Sequence, residues 1–245
     1  MNERNWLLAA SFAVAVCWGG EALAYRPFDS TDADVAKPLE LELEFGPLDY
    51  LVVGKTSWLA PNLVVNLGVV PGMELVLEGQ QFIRLGPTGG LPRVSLQTTM
   101  FEVKTMLRNG SLQDGFGPSV AVEGGVLLPT VNAEPGVGGL LTFIVSQRFT
   151  AGTLSLDGTV QLTRALNAEF DGGLILEGPD SWSVRPVGEL LIGHEFNVGT
   201  TFSGLVGAIW RLDENLSLDM GLRLARAEGQ TVGEFRAGLT WTIPL

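Results

Sequence analysis

Charged side chains recur at alternate positions near the C-terminus, and the positions between them are mostly apolar. Asp219 and Arg223 alternate with leucines and a methionine, and Glu234 and Arg236 alternate with phenylalanine, alanine and leucine. A period of two places such side chains on one face of a β-strand. Carboxylates that line one interior attract cations, whereas carboxylates opposite arginines form ion pairs. The pattern therefore predicts either a selective polar passage or an interior filled by charge pairs.

The same alternation of charged and apolar positions extends to earlier segments. We call the alternate positions that carry the charged residues the polar parity of a strand, and the positions between them the apolar parity. The polar parity defines a set of charged residues that we expect to face inward. The candidate lumen or selectivity residues are Asp157, Glu169, Asp171, Arg185, Glu189, Asp219, Arg223, Glu234 and Arg236. Four further acids of this parity are Glu74, Glu78, Glu123 and Glu195. Ten of these thirteen side chains are acidic, so an open lumen would prefer cations. In a narrow barrel the same acids and arginines would instead pair and fill the space.

Hairpin symmetry predicts which of these side chains face each other. If the last hairpin is symmetric about its Glu-Gly turn, Arg223 lies directly opposite Glu234 as an ion pair. If the earlier turn at Pro179-Asp180 is centred on Asp180, Asp171 lies opposite Glu189. Two like charges in that position would either raise the pKa of one of the two acids or hold a cation, so Asp171 and Glu189 form our candidate selectivity site.

The elements that must position these residues are strands of about ten residues, separated by Gly, Pro, Asn and Asp clusters. Although 46% of the residues are hydrophobic and only 17% are charged, we find no apolar run of the roughly 20 residues that a membrane-spanning helix needs. Long alternating strands in an even number favour an all-β fold, a transmembrane antiparallel β-barrel of about 12 strands. A soluble β-sandwich is the alternative. The predicted strands are 39–45, 58–70, 73–85, 93–108, 117–128, 139–150, 154–162, 166–176, 182–196, 200–211, 216–224 and 234–245.

The N-terminus has the features of a secretory signal peptide. An apolar stretch from Trp6 to Trp18 is followed by Ala22-Leu23-Ala24, which predicts a signal peptide over 1–24. We expect a periplasmic, solvated acidic lead over 25–38 and the barrel over 39–245. Cys17 is the only cysteine and lies within the signal, so the mature chain has no disulfide or thiol nucleophile.

Composition disfavours several other functions. A net charge of −12 is opposite to the basic face that nucleic acid requires, so no nucleic-acid partner is expected. His194 is the only histidine, which excludes a histidine-rich zinc site, and its apolar parity favours an interfacial position over catalysis. We therefore predict no enzymatic activity, no catalytic residues, no cofactor and no metal.

The start of the predicted mature chain, Arg26-Pro27-Phe28-Asp29-Ser30-Thr31-Asp32-Ala33-Asp34, is followed by Leu39-Glu40-Leu41-Glu42-Leu43-Glu44. This opening resembles the outer-membrane proteins of the meta-pathway of phenol degradation type. The resemblance implies a transporter in the cell outer membrane for small hydrophobic or aromatic solutes. The resemblance also implies that membrane lipid surrounds the barrel. The last strand, with its alternating Leu239, Trp241 and Ile243, resembles the signal that the outer-membrane assembly machinery recognises. A structural or surface-interaction barrel with a plugged lumen remains the alternative to a channel.

Overall fold

The computed structural model describes residues 26–227 and 229–245, and the strands among them form one antiparallel sheet. The predicted signal peptide and its cleavage site lie outside the described residues. The strands are β1 Glu40–Val53, β2 Thr56–Leu59, β3 Asn62–Val70, β4 Met73–Leu85, β5 Val94–Arg108, β6 Ser119–Leu127, β7 Gly138–Phe149, β8 Gly152–Leu162, β9 Ala168–Glu177, β10 Val184–Glu195, β11 Gly199–Arg211, β12 Leu216–Ala227 and β13 Gln230–Pro244. A 3-10 turn spans Ser111–Gln113. Within the described ranges, no helix has the length and apolar character needed to cross a membrane.

The sheet closes on itself because β1 pairs with β13 from Glu40↔Pro244 to Val53↔Val232. β2 and β3 both pair with β1 and β4, so they share one position in the ring. The thirteen segments therefore make a closed barrel of twelve strand positions, which confirms the predicted fold class. The predicted strand 58–70 is interrupted near Pro61, which has no N–H to donate to the ladder.

Burial alternates along the strands as the sequence predicts. In β12, Leu222 and Leu224 are 60% and 66% exposed, whereas Arg223 is 7% exposed. The polar parity therefore faces the interior. In β1, a bulge between Phe45 and Leu48 shifts the alternation of inward and outward side chains by one residue. Glu44 and Asp49 would face opposite sides of an unbroken strand, but the bulge turns both inward and both are buried.

The barrel has two distinct ends. One, here called the terminal end, contains Pro38 and Leu245 with the turns 71–72, 109–118, 150–151, 178–183 and 212–215. The other, here called the loop end, contains the connections 54–55, 86–93, 128–137, 163–167, 196–198 and the turn at 229. The link 109–118 carries the 3-10 turn and is longer than the other turns at this end.

The acidic lead lies inside the barrel. Within residues 26–38, here called the N-terminal segment, Phe28 is 2% exposed and Asp29 and Asp32 are each 9% exposed. This differs from the expected solvated lead, because the acids of the segment pair with cationic side chains of the wall. Composition alone does not show these long-range pairs.

Candidate functional site

All nine candidate residues lie on the inward-facing parity of their strands. Six are buried: Glu169, Glu189, Asp219, Arg223, Glu234 and Arg236. The other three, Asp157, Asp171 and Arg185, are half-buried. The four further acids are also on this parity, with Glu74, Glu78 and Glu123 buried and Glu195 half-buried.

Two arginines and two carboxylates form a buried cluster in the lumen. The register pairs Arg223 with Glu234, as predicted, and Arg223 Nη1 lies 3.3 Å from Glu234 Oε2. Arg236 Nε donates to Glu234 Oε1 at 2.8 Å. Both arginines also reach Asp29 of the N-terminal segment, at 2.7 Å from Arg223 Nε and 2.5 Å from Arg236 Nη2. The cluster therefore joins the last hairpin to the segment.

Asp29 carries its charge in this environment. Burial alone acts to raise the pKa of Asp29, but the guanidinium groups of Arg223 and Arg236 hold that pKa below its usual value. The backbone N–H groups of Asp29 and Ser30 donate to Glu189 Oε1 at 2.9 and 2.7 Å. Glu189 on β10 therefore binds the backbone of the segment, in addition to the contacts that Arg223 and Arg236 make with the Asp29 side chain.

The prediction that Asp171 faces Glu189 is wrong. Glu189 pairs with Ile175, and Asp171 pairs with Gly193 on β10 and Thr159 on β8. The β9–β10 ladder begins only at the pair Glu177↔Val187, so the hairpin is centred on Trp182, two residues beyond Asp180, and every pairing shifts. The two acids do not form a site together.

Arg26 occupies a second buried charge cluster at β1 and β12. Its guanidinium lies 3.1 Å from Asp219 and 3.4 Å from Asp49, and it donates to Asn62 Oδ1 at 2.7 Å. The backbone N–H of Arg26 donates to Glu44 Oε2 at 2.9 Å. Burial acts to lower the pKa of Arg26, but Asp49 and Asp219 raise it above its usual value, so the charge is retained.

Lys104 holds the middle of the segment. Its Nζ donates to Thr31 Oγ1 at 3.0 Å and lies 3.9 Å from Asp32 and 3.7 Å from Glu74. Burial nevertheless raises the pKa of Asp32. The backbone N–H of Ala33 donates to Ser146 Oγ at 2.9 Å, which extends the contacts to β7.

Glycines of the wall allow the segment to approach closely. A Cβ at Gly46 or at Gly238 would collide with the guanidinium of Arg26, and a Cβ at Gly68 would collide with the backbone carbonyl of Lys37. Glycine is the residue that permits such close contact. The wall is therefore complementary to the segment at several points along its length.

A cavity of about 1040 Å³ lies at the terminal end. Most of its acids come from the segment and from β1, β4 and β6, and its arginines come from β7, β10 and β11. Arg148, Arg185 and Arg211 lie 4.0, 3.3 and 2.7 Å from Asp180. Here the cavity is called the vestibule. No group of three or more His, Cys, Asp or Glu side chains in the described ranges is arranged to hold a metal ion.

The lumen near the loop end is apolar. Leu51, Trp58, Phe82 and Val232 belong to one buried cluster there. Trp58 is buried in this cluster, and the guanidinium of Arg84 lies over its ring, 5.6 Å from the ring centroid. Its strand, β2, turns this side chain inward.

Aromatic side chains mark both ends of the outer surface. Trp182, Trp210 and Trp241 are 53%, 52% and 49% exposed near the terminal end. At the loop end, His194 is exposed and packs edge-on against Phe196 with ring centroids 5.0 Å apart. His194 thus lies on the outer surface near the end of β10, in agreement with its apolar parity.

Several residues that hold the segment, among them Asp49 and Lys104, are not predicted as site residues from the sequence. Glu40, Glu42 and Glu44 alternate with leucines, and this alternation indicates an inward-facing row of acids just as it does in the later strands. Asp49 lies beyond the bulge, where simple parity fails. Arg26 meets Asp219 across 193 residues, and no local pattern indicates that contact.

The fold is similar to solved outer-membrane proteins. An outer membrane channel from Pseudomonas putida F1 matches with a TM-score of 0.64 and 9% identity, covering 85% of this chain and 96% of that chain. The NanC porin matches with a TM-score of 0.57 and 7% identity, covering 82% of this chain and 98% of that chain. The KdgM porin in complex with disordered oligogalacturonate matches with a TM-score of 0.56 and 10% identity, over 82% and 98%.

No family model matches the sequence, and no curated protein matches it. At identities of 7–10%, the structural likeness shows the fold alone. The resemblance to the meta-pathway proteins therefore stays a prediction.

Proposed function

We propose that this protein is an outer-membrane channel for the passive passage of small solutes. Its strands are long enough to cross a bilayer at a tilt, their outward side chains are apolar, and closure leaves no unpaired sheet edge. Similarity to the Pseudomonas putida F1 channel and to two porins supports the same class of protein.

The observation that carries this proposal is the charged vestibule. Eleven acidic and five basic side chains line its volume of about 1040 Å³. A cleft of one predominant charge with low-dielectric walls concentrates ions of the opposite sign. We therefore expect cations to be preferred over anions.

The apolar lumen near the loop end supports a second class of solute. Leu51, Trp58 and Phe82 turn hydrophobic side chains into the interior, where they are packed together at 0–7% exposure, so their surface opens to a solute only if the cluster parts. Small aromatic or hydrophobic compounds, which the resemblance to the meta-pathway proteins implies, match this surface chemically.

A barrel with a structural plug is the other candidate function, and one observation favours it. The N-terminal segment contacts wall residues on β1, β5, β7, β10, β12 and β13 and fills the middle of the lumen. In a channel, solutes must pass beside this segment or displace it.

Reconstitution of the purified full chain separates the two candidates. We expect stepwise single-channel conductance in planar bilayers, swelling of liposomes in small solutes, and a reversal potential of cation-preferring sign in a KCl gradient. Glu74→Gln together with Glu123→Gln should shift the reversal potential towards zero, whereas Glu134→Gln in the 128–137 loop should not. Folded protein that gives neither conductance nor swelling would favour the plugged barrel.

A further inference from the structure

The guanidinium of Arg26 is completely coordinated. An arginine has five N–H donors in a planar fork. Nε and Nη2 donate to the two oxygens of Asp219, both at 3.1 Å. Nη1 and Nη2 reach the two oxygens of Asp49 at 3.5 and 3.4 Å, and Nη1 also donates to Asn62 Oδ1 at 2.7 Å.

The groups that coordinate Arg26 all belong to the barrel wall. Asp49 lies on β1, Asn62 on β3 and Asp219 on β12, and both carboxylates are buried. Gly46 and Gly238 flank the same space, where a Cβ would collide with the guanidinium. The wall thus provides two carboxylates, one amide oxygen and a slot for a flat cation, independently of the segment that fills it.

We propose that this pocket is a guanidinium-binding site of the lumen, occupied here by the chain's own Arg26 and available to a guanidinium-bearing small solute when the segment withdraws. The two paired carboxylates match the bidentate geometry of guanidinium. An ammonium offers three donors from one point and cannot satisfy both carboxylates and the amide in the same way. The transport consequence rests on the proposed channel function, but the binding itself does not.

The test uses the full chain carrying Arg26→Ala, folded in detergent, with guanidinium and methylguanidinium as probes at millimolar concentration. Because a ligand that binds only the folded state raises its stability, we expect the unfolding temperature to rise by roughly 2–4 °C. Sodium and tetramethylammonium should produce no such rise. Wild-type protein, in which Arg26 fills the pocket, should not respond, and Arg226→Ala, which removes an exposed arginine, is the matched control.

Adding Asp219→Asn to Arg26→Ala should abolish the response. The site is refuted if folded Arg26→Ala shows no guanidinium-specific rise, or if wild type or tetramethylammonium gives the same rise. If Arg26→Ala does not fold, its refolding yield with and without guanidinium becomes the measurement, with Arg26→Gln as a second variant. Rescue by guanidinium supports the site, and failure of guanidinium to rescue either variant overturns it.

Conductance measurements keep this proposal separate from the channel function. Guanidinium binding without conductance would leave the site in place and contradict the channel. Conductance without guanidinium binding would overturn the site alone.

Discussion

Arg26 donates two hydrogen bonds to the carboxylate of Asp219, although 193 residues separate them in the chain. The contact ties the start of the described chain to the last hairpin of the barrel. Together with the contacts at Asp29, Lys104 and Ser146, it makes the N-terminal segment part of the interior.

Asp219→Asn should loosen the segment. The substitution keeps the size of the side chain but removes the charge that faces Arg26, and weakening such a buried interaction costs about 1–3 kcal/mol. Ser30 is buried, so a cysteine at this position reports on the position of the segment. The thiol of Ser30→Cys should react with a maleimide at least about tenfold faster when Asp219→Asn is also present than in Ser30→Cys alone. Asp114→Asn, at an exposed turn, should leave the labelling rate unchanged.

Gly46→Ala should displace Arg26. Its Cβ would collide with the guanidinium, and overpacking of this kind costs about 1–3 kcal/mol. Gly158→Ala is the matched control, because a Cβ there meets no atom within 4 Å. Thiol labelling of Ser30→Cys should increase when Gly46→Ala is added and should not increase when Gly158→Ala is added. Equal labelling of the two variants would argue against a barrel wall that is complementary in shape to Arg26.

Asp29→Asn should reduce stability most at neutral pH. The pKa of Asp29 is below its usual value of 3.8, so its ionised form stabilises the folded state above that pH, and this contribution is lost as the pH falls through the folded-state pKa. The difference in unfolding temperature between wild type and Asp29→Asn should therefore shrink as the pH falls below 3.8. If the difference in unfolding temperature grew on acidification, it would contradict a stabilising role for the ionised Asp29 carboxylate.

Much of the fold follows from the sequence because strand parity is a local property. The alternation of leucines with Asp219 and Arg223 predicts both the strand and its inward face, and the turn at Gly229 fixes the Arg223–Glu234 pair. The same reasoning fails at Asp171 and Glu189, since a longer link sets their register.

The position of the N-terminal segment could not be predicted in this way. Its acids suggest solvation when they are considered alone. Their partners Arg223, Arg236 and Lys104 lie on strands distant in sequence, and only barrel closure brings these residues together around the segment.

A reversible lock on the segment tests most directly whether it controls passage through the lumen. Ala33→Cys with Ser146→Cys places a cysteine pair where the Ala33 N–H donates to Ser146 Oγ at 2.9 Å. After oxidation we expect low single-channel conductance and little liposome swelling, and reduction of the disulfide should restore both to the values of the single-cysteine controls. Equal conductance in the oxidised and reduced states, with the disulfide verified, would contradict a channel closed by this segment.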